Sequence, residues 1–156
     1  MTLDRARCLF AALWAGLAAT PMALLVIAGN PRVTPLMVAG AAGFVFGAAL
    51  AAFVATGTTI RIVGTLGGLH YCLALLLADA IFAGFVAAGT WVVVAVGTYL
   101  DDPTMMDELA GAAVLSLVVL FWAFVAALCV AVPCSLVGAA MFQLLCRSFE
   151  GRRARS

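Results

Sequence analysis

The chain has 156 residues, 67% of them hydrophobic and only 10% charged, whereas a soluble domain of this length normally carries about 25% charged residues. A mean hydropathy of +1.23 leaves too little polar surface to coat a water-soluble globule, so the solvent for most of the polypeptide is lipid. The net charge of +1 comes with no basic stripe, which argues against nucleic-acid binding, and the length leaves room for a single membrane domain.

The N-terminal stretch Met1 to Arg7 is short and basic, and an uninterrupted apolar run follows from Cys8 to Ala28. At 1.5 Å per residue this run reaches about 31 Å, one crossing of a hydrocarbon core. It is longer than the apolar core of a cleaved signal peptide, so an uncleaved first span is expected. Gly29 to Pro35 holds two prolines and a glycine, a compact turn that ends one helix and starts the next.

The second span is expected over residues 35–56. Ala39, Gly43, Gly47, Ala51 and Ala55 recur every four residues, a small-residue ridge of the kind that lets helix backbones approach closely. A segment this rich in Ala and Gly forms some such ridge by chance as well, so no oligomer follows from it. Residues 57–68 read as a glycine-bearing link around Arg61. Gly64, Gly67 and Gly68 lack the strand, the lysine and the hydroxyl residue of a phosphate loop.

A third span is expected over residues 69–97, longer than one perpendicular crossing needs. Beyond it lie Asp101, Asp102, Asp107 and Glu108 with no basic residue among them. Asp102 before Pro103 suits a helix N-cap, and the spacing of the acids matches no calcium loop. Residues 109–146 are apolar throughout. At about 57 Å this run is too long for one straight crossing. Pro133 should kink or divide it, which predicts a span over 109–133, a kinked or interfacial continuation to 146, and a polar tail over 147–156.

The resulting fold class is all-α: a polytopic integral membrane protein of four transmembrane helices. Four spans put Arg5, Arg7, Arg61, Arg147, Arg152, Arg153 and Arg155 on one side and only Arg32 on the other. The positive-inside rule then makes both termini cytoplasmic. The localisation implied is the cell (inner) membrane, or a host or virion membrane if the chain is viral.

Asp79 is the one acid clearly inside an apolar segment, about 15 Å into its span and so near the bilayer midplane. It reads either as a group lining a polar pathway or as an anchor bonded to Ser116, Ser135, Gln143 or a partner subunit. Cys72, Ala83, Val86 and Thr90 share its helix face. His70, the only histidine, lies nine residues earlier on the opposite face and cannot pair with Asp79 within one chain. Trp14 and Trp122 are expected to pack between helices.

The five cysteines form no C-x-x-C pair and read as small apolar residues, and a lone histidine supplies no haem or metal site. No cofactor and no catalytic grouping is expected. The expected partners are the lipid bilayer and other membrane subunits or a second copy of the chain. The leading expectation is a non-enzymatic accessory, assembly or scaffold subunit; the alternative is a small transporter or channel using Asp79. Reporter tags at the two ends should both read cytoplasmic, and ends on opposite faces of the membrane would contradict the four-span layout.

Overall fold

The computed structural model describes residues 2–29, 32–64, 71–101 and 109–153, all but a few of which lie in four helices. They are α1 (Leu3–Ala28), α2 (Pro35–Val63), α3 (Tyr71–Asp101) and α4 (Leu109–Arg153). All four are long and apolar enough to cross a membrane. His70, the link over 102–108 and the last residues of the tail lie outside the described residues.

Local chemistry sets the helix ends. Thr34 caps α2, its hydroxyl oxygen accepting from the Met37 backbone N–H at 3.3 Å, and Pro35 occupies a first-turn position where its missing N–H costs nothing. α2 then runs through Gly57 to Val63, two turns past the expected end of its span. It stops at Gly64, whose φ of +80° suits glycine and whose N–H bonds the Ile60 carbonyl at 2.9 Å.

α4 is continuous through Pro133 and reaches Arg153, so the segment over 134–146 belongs to the same helix. Pro133 withholds only the N–H that would reach the carbonyl four residues back. The segment beyond it packs in the bundle: Phe142 meets Phe10 of α1 with ring centroids 5.2 Å apart. The tail is correspondingly shorter than the sequence implies, because the helix extends past Arg147.

Consecutive helices pack antiparallel. α1 packs most extensively on α2 and α3 on α4, α2 meets α3, and α4 returns to α1 along a smaller seam. The buried apolar side chains are almost all alanine: Ala19, Ala23, Ala48, Ala52, Ala55, Ala74, Ala83, Ala87 and Ala131. The large ones, such as Leu13, Phe46, Leu73 and Phe121, point outward. That is the arrangement lipid favours, since an outward leucine loses nothing and a small inward residue lets backbones approach. Helix hydroxyls follow the same logic. Thr20, Thr58, Thr59, Thr90 and Ser148 each donate to the carbonyl four residues earlier at 2.8–2.9 Å, so no donor is left bare in an apolar medium.

The seam between α1 and α4 carries the most specific contact in the bundle. Trp14 donates its indole N–H to the Cys134 carbonyl at 2.7 Å and lies against Gly138. A Cβ at Gly138 would stand 2.8 Å from the indole, closer than side chains tolerate. Trp14 therefore packs between helices as expected, whereas Trp122 is 63% exposed and faces outward beside Phe121. Its ring meets lipid because α4 turns its small residues, not this one, toward the bundle.

Gly138→Ala should destabilise the protein by about 1–3 kcal/mol, the usual range for overpacking. Trp14→Phe should cost about 1 kcal/mol through the lost hydrogen bond. Reversible unfolding in mixed micelles checks both, and an unchanged Gly138→Ala would contradict the seat described for Trp14.

Candidate functional site

The small inward side chains that join neighbouring helices leave the centre of the bundle open. A chamber of about 1010 Å³, about half open to the surroundings, lies between the helices, with wall residues from all four. Alanine is the commonest residue of its wall, including Ala15 and Ala18 of α1, Ala48 and Ala52 of α2, Ala78 of α3 and Ala127 of α4. Measured along the helices, it extends from Leu3 to Met22 on α1 and from Tyr71 to Thr90 on α3. Each of those spans is about 28 Å, close to the thickness of a hydrocarbon core.

Asp79 is on this wall and only 6% exposed. Of the sequence candidates for its partner, the side chain of Ser116 lies outside what is described, and Ser135 of α4 donates its hydroxyl to Asp79 Oδ2 at 2.7 Å. Gln143 lines the same chamber from α4 without bonding Asp79. No arginine pairs with Asp79 among the described residues.

Ser135 also stands 3.0 Å from the Val132 carbonyl oxygen. One hydroxyl hydrogen thus has two acceptors. With the carboxyl group ionised, the two must share that hydrogen. With it protonated, Asp79 donates to Ser135 and Ser135 donates to Val132, and every acceptor receives a full hydrogen. The site can therefore hold or release one proton by turning a single hydroxyl, and it can offer either a donor or an acceptor to a molecule in the chamber.

The other predicted residues fall as follows. Thr90 shares the chamber wall with Asp79, eleven residues further along α3, and its hydroxyl is engaged by the Val86 carbonyl at 2.8 Å. His70 is outside the described residues. Ala83 of the predicted Asp79 face is fully buried, and Val86 is on the chamber wall.

Of the predicted ridge on α2, Ala55 is 1% exposed and lies in the bundle, while Ala39, Gly43 and Gly47 face away from it. A Cβ built at Gly43 or Gly47 would meet nothing within 4 Å. The packing face α2 uses within this chain is instead Ala48, Ala52, Ala55 and Thr59, displaced by one residue position around the helix.

Sequence reasoning missed Cys134 and Gly138 as the seat for Trp14, and Arg7 and Arg147 as wall residues of the chamber. The signal available for the last two was their position one or two turns inside the helix ends. Among the described residues no three His, Cys, Asp or Glu side chains cluster as metal ligands would. Comparison with protein-family models, with curated proteins and with solved structures finds no match.

Ser135→Ala, which strips Asp79 of its partner, should destabilise the protein by about 1–3 kcal/mol. Asp79→Asn keeps the shape and the bond and should cost less. Asp79→Leu combined with Ser135→Ala should cost less than the sum of the two single changes, because neither polar group is then left unpaired. Strictly additive costs in reversible unfolding would show that the two side chains do not act as a pair.

Proposed function

We propose that this protein is a small, non-enzymatic multi-pass carrier of the cell membrane that takes an apolar small molecule into the chamber between its four helices. Asp79 and Ser135 provide the one polar contact at mid-depth. The observation that carries this reading is the chamber itself. In lipid, helices associate through van der Waals packing, so a bundle whose only task is to pack has every reason to close on its alanines. A space of about 1010 Å³ forgoes that packing unless something fills it. It sits at the upper end of small-molecule sites, which run to about 1,000 Å³.

An apolar occupant fits the wall better than an ion does. Conducting cations takes rings of carbonyls or acids, and relaying protons takes a series of titratable groups. Among the described residues, Asp79 is the only acid on the chamber wall. One carboxyl and one hydroxyl suit the recognition of a single hydrogen-bonding group on an otherwise apolar solute. General acid–base or nucleophilic chemistry takes several convergent polar groups, and the polar contact at mid-depth is the one pair Asp79–Ser135. The arginines at the chain ends favour the cytoplasmic face for both termini.

A second reading, an accessory or assembly subunit, is favoured by the open stripe around Gly43 and Gly47, where another helix can approach the α2 backbone closely. The two readings separate on a chamber-filling substitution. Native mass spectrometry of the protein released from mild detergent should find an apolar molecule retained one per chain, and Ala127→Phe should reduce its occupancy at least tenfold. A chain that is always empty, yet always accompanied by a fixed protein partner, would replace the carrier reading with the assembly one.

A further inference from the structure

Two guanidinium groups belong to the chamber. Arg7 of α1 and Arg147 of α4 are both on its wall. Both lie beyond the Phe10–Phe142 contact, toward the ends of the chain, so they share one mouth of the space. Arg7 reaches Asp4 at 3.5 Å, a long and partly exposed contact worth little. Arg147 has no acidic partner among the described residues. The chamber's one acid, Asp79, is well removed: it is level with Ser135, twelve residues and about 18 Å along α4 from Arg147. The mouth therefore carries two arginines and the acid Asp4, and behind it the α4 wall offers Gln143 and then the Asp79–Ser135 pair among mostly apolar side chains.

The proportions narrow the occupant further. Spread over a length of about 28 Å, the volume of about 1010 Å³ makes an elongated space that suits an extended chain. Phe10, Trp14 and Phe142 crowd the stretch between the mouth and Asp79.

We infer that the chamber holds a single-chain amphiphile with an anionic headgroup, a phosphate or a carboxylate, bound by Arg7 and Arg147. Its tail runs past Trp14 to the level of Asp79 and Ser135, where that pair would meet a hydrogen-bonding group carried on the chain. Guanidinium groups match these headgroups because their paired N–H donors meet two oxygens at once, and arginine keeps its charge at a membrane interface. The inference rests on the chamber-binding reading given above and adds the chemistry of the occupant to it.

The test uses the full-length protein in a neutral maltoside detergent, titrated calorimetrically with three probes. These are a single-chain acyl-glycerol phosphate, the zwitterionic phosphocholine amphiphile with the same tail, and glycerol 3-phosphate as the headgroup alone. The phosphate amphiphile should bind at least tenfold more tightly than the zwitterionic one, and the headgroup alone should not bind measurably. Arg147→Gln and Arg7→Gln should each weaken the phosphate amphiphile severalfold, and the zwitterionic one distinctly less, without altering the melting temperature. Ala127→Phe should weaken both amphiphiles.

Equal binding of the two amphiphiles, unmoved by either arginine substitution, overturns the anionic headgroup while leaving the chamber reading intact. Binding of neither overturns both. Phosphate binding that persists in Ala127→Phe, or that the headgroup alone reproduces, places the anion on the surface and overturns the inference.

Discussion

Everything in this molecule follows from putting one carboxyl group where water cannot reach it. In a hydrocarbon core an unpartnered carboxyl is among the costliest groups a chain can carry, so α3 must hold Asp79 inward and some other helix must meet it. Ser135 does so at 2.7 Å from across the α3–α4 seam. That bond registers α4 against α3. Trp14, bonded to the carbonyl of the adjacent residue Cys134, then registers α1 against α4 at almost the same height. Two hydrogen bonds to neighbouring residues of one helix thus draw three helices together around the middle of the bundle.

Alanine does the rest, and it does two opposed things. At the seams it lets backbones approach, as Ala74 and Ala83 of α3, both fully buried, illustrate. At the centre it leaves space, because a methyl group cannot reach across from one helix to the helix opposite. A leucine-lined bundle of the same topology would close. The apolar bulk that such a bundle would use as its core is on the outside here, where lipid takes it at no loss. The chamber is therefore built into the composition of the inward faces and is not an accident of one loosely packed contact.

Much of this was legible beforehand. Hydropathy and length mark four spans, the turn from Gly29 to Pro35 marks the end of one helix and the start of the next, and an acid in an apolar segment marks the residue on which the interior turns. What the sequence left open has a common cause. Periodicity identifies faces of a helix but not which neighbour each face meets. Ser116, Ser135 and Gln143 were all plausible partners for Asp79, and only the register of α4 decides among them. On α2 nearly every face is Ala and Gly, so the four-residue ridge through Gly43 and Gly47 and the one through Ala48 and Ala52 are indistinguishable in sequence. The inward one is chosen by what α1 and α3 bring to it. Pro133 reads as a break because proline breaks isolated helices, but α4 runs on through it, and Trp14 and Phe10 pack against the segment beyond. Gly138 carries no sequence signal at all, since its role exists only once an indole lies on it.

The most direct test of an occupied interior is tryptophan quenching. With Trp91 and Trp122, both exposed, replaced by phenylalanine, Trp14 is left as the one indole, on the chamber wall. Reconstituted with a trace of an amphiphile brominated along its tail, the protein should lose Trp14 fluorescence in a saturable way, reaching its plateau at one amphiphile per chain. Quenching that simply rises in proportion to the brominated fraction of the surrounding lipid, without a plateau, would mean that the bundle holds no molecule of its own.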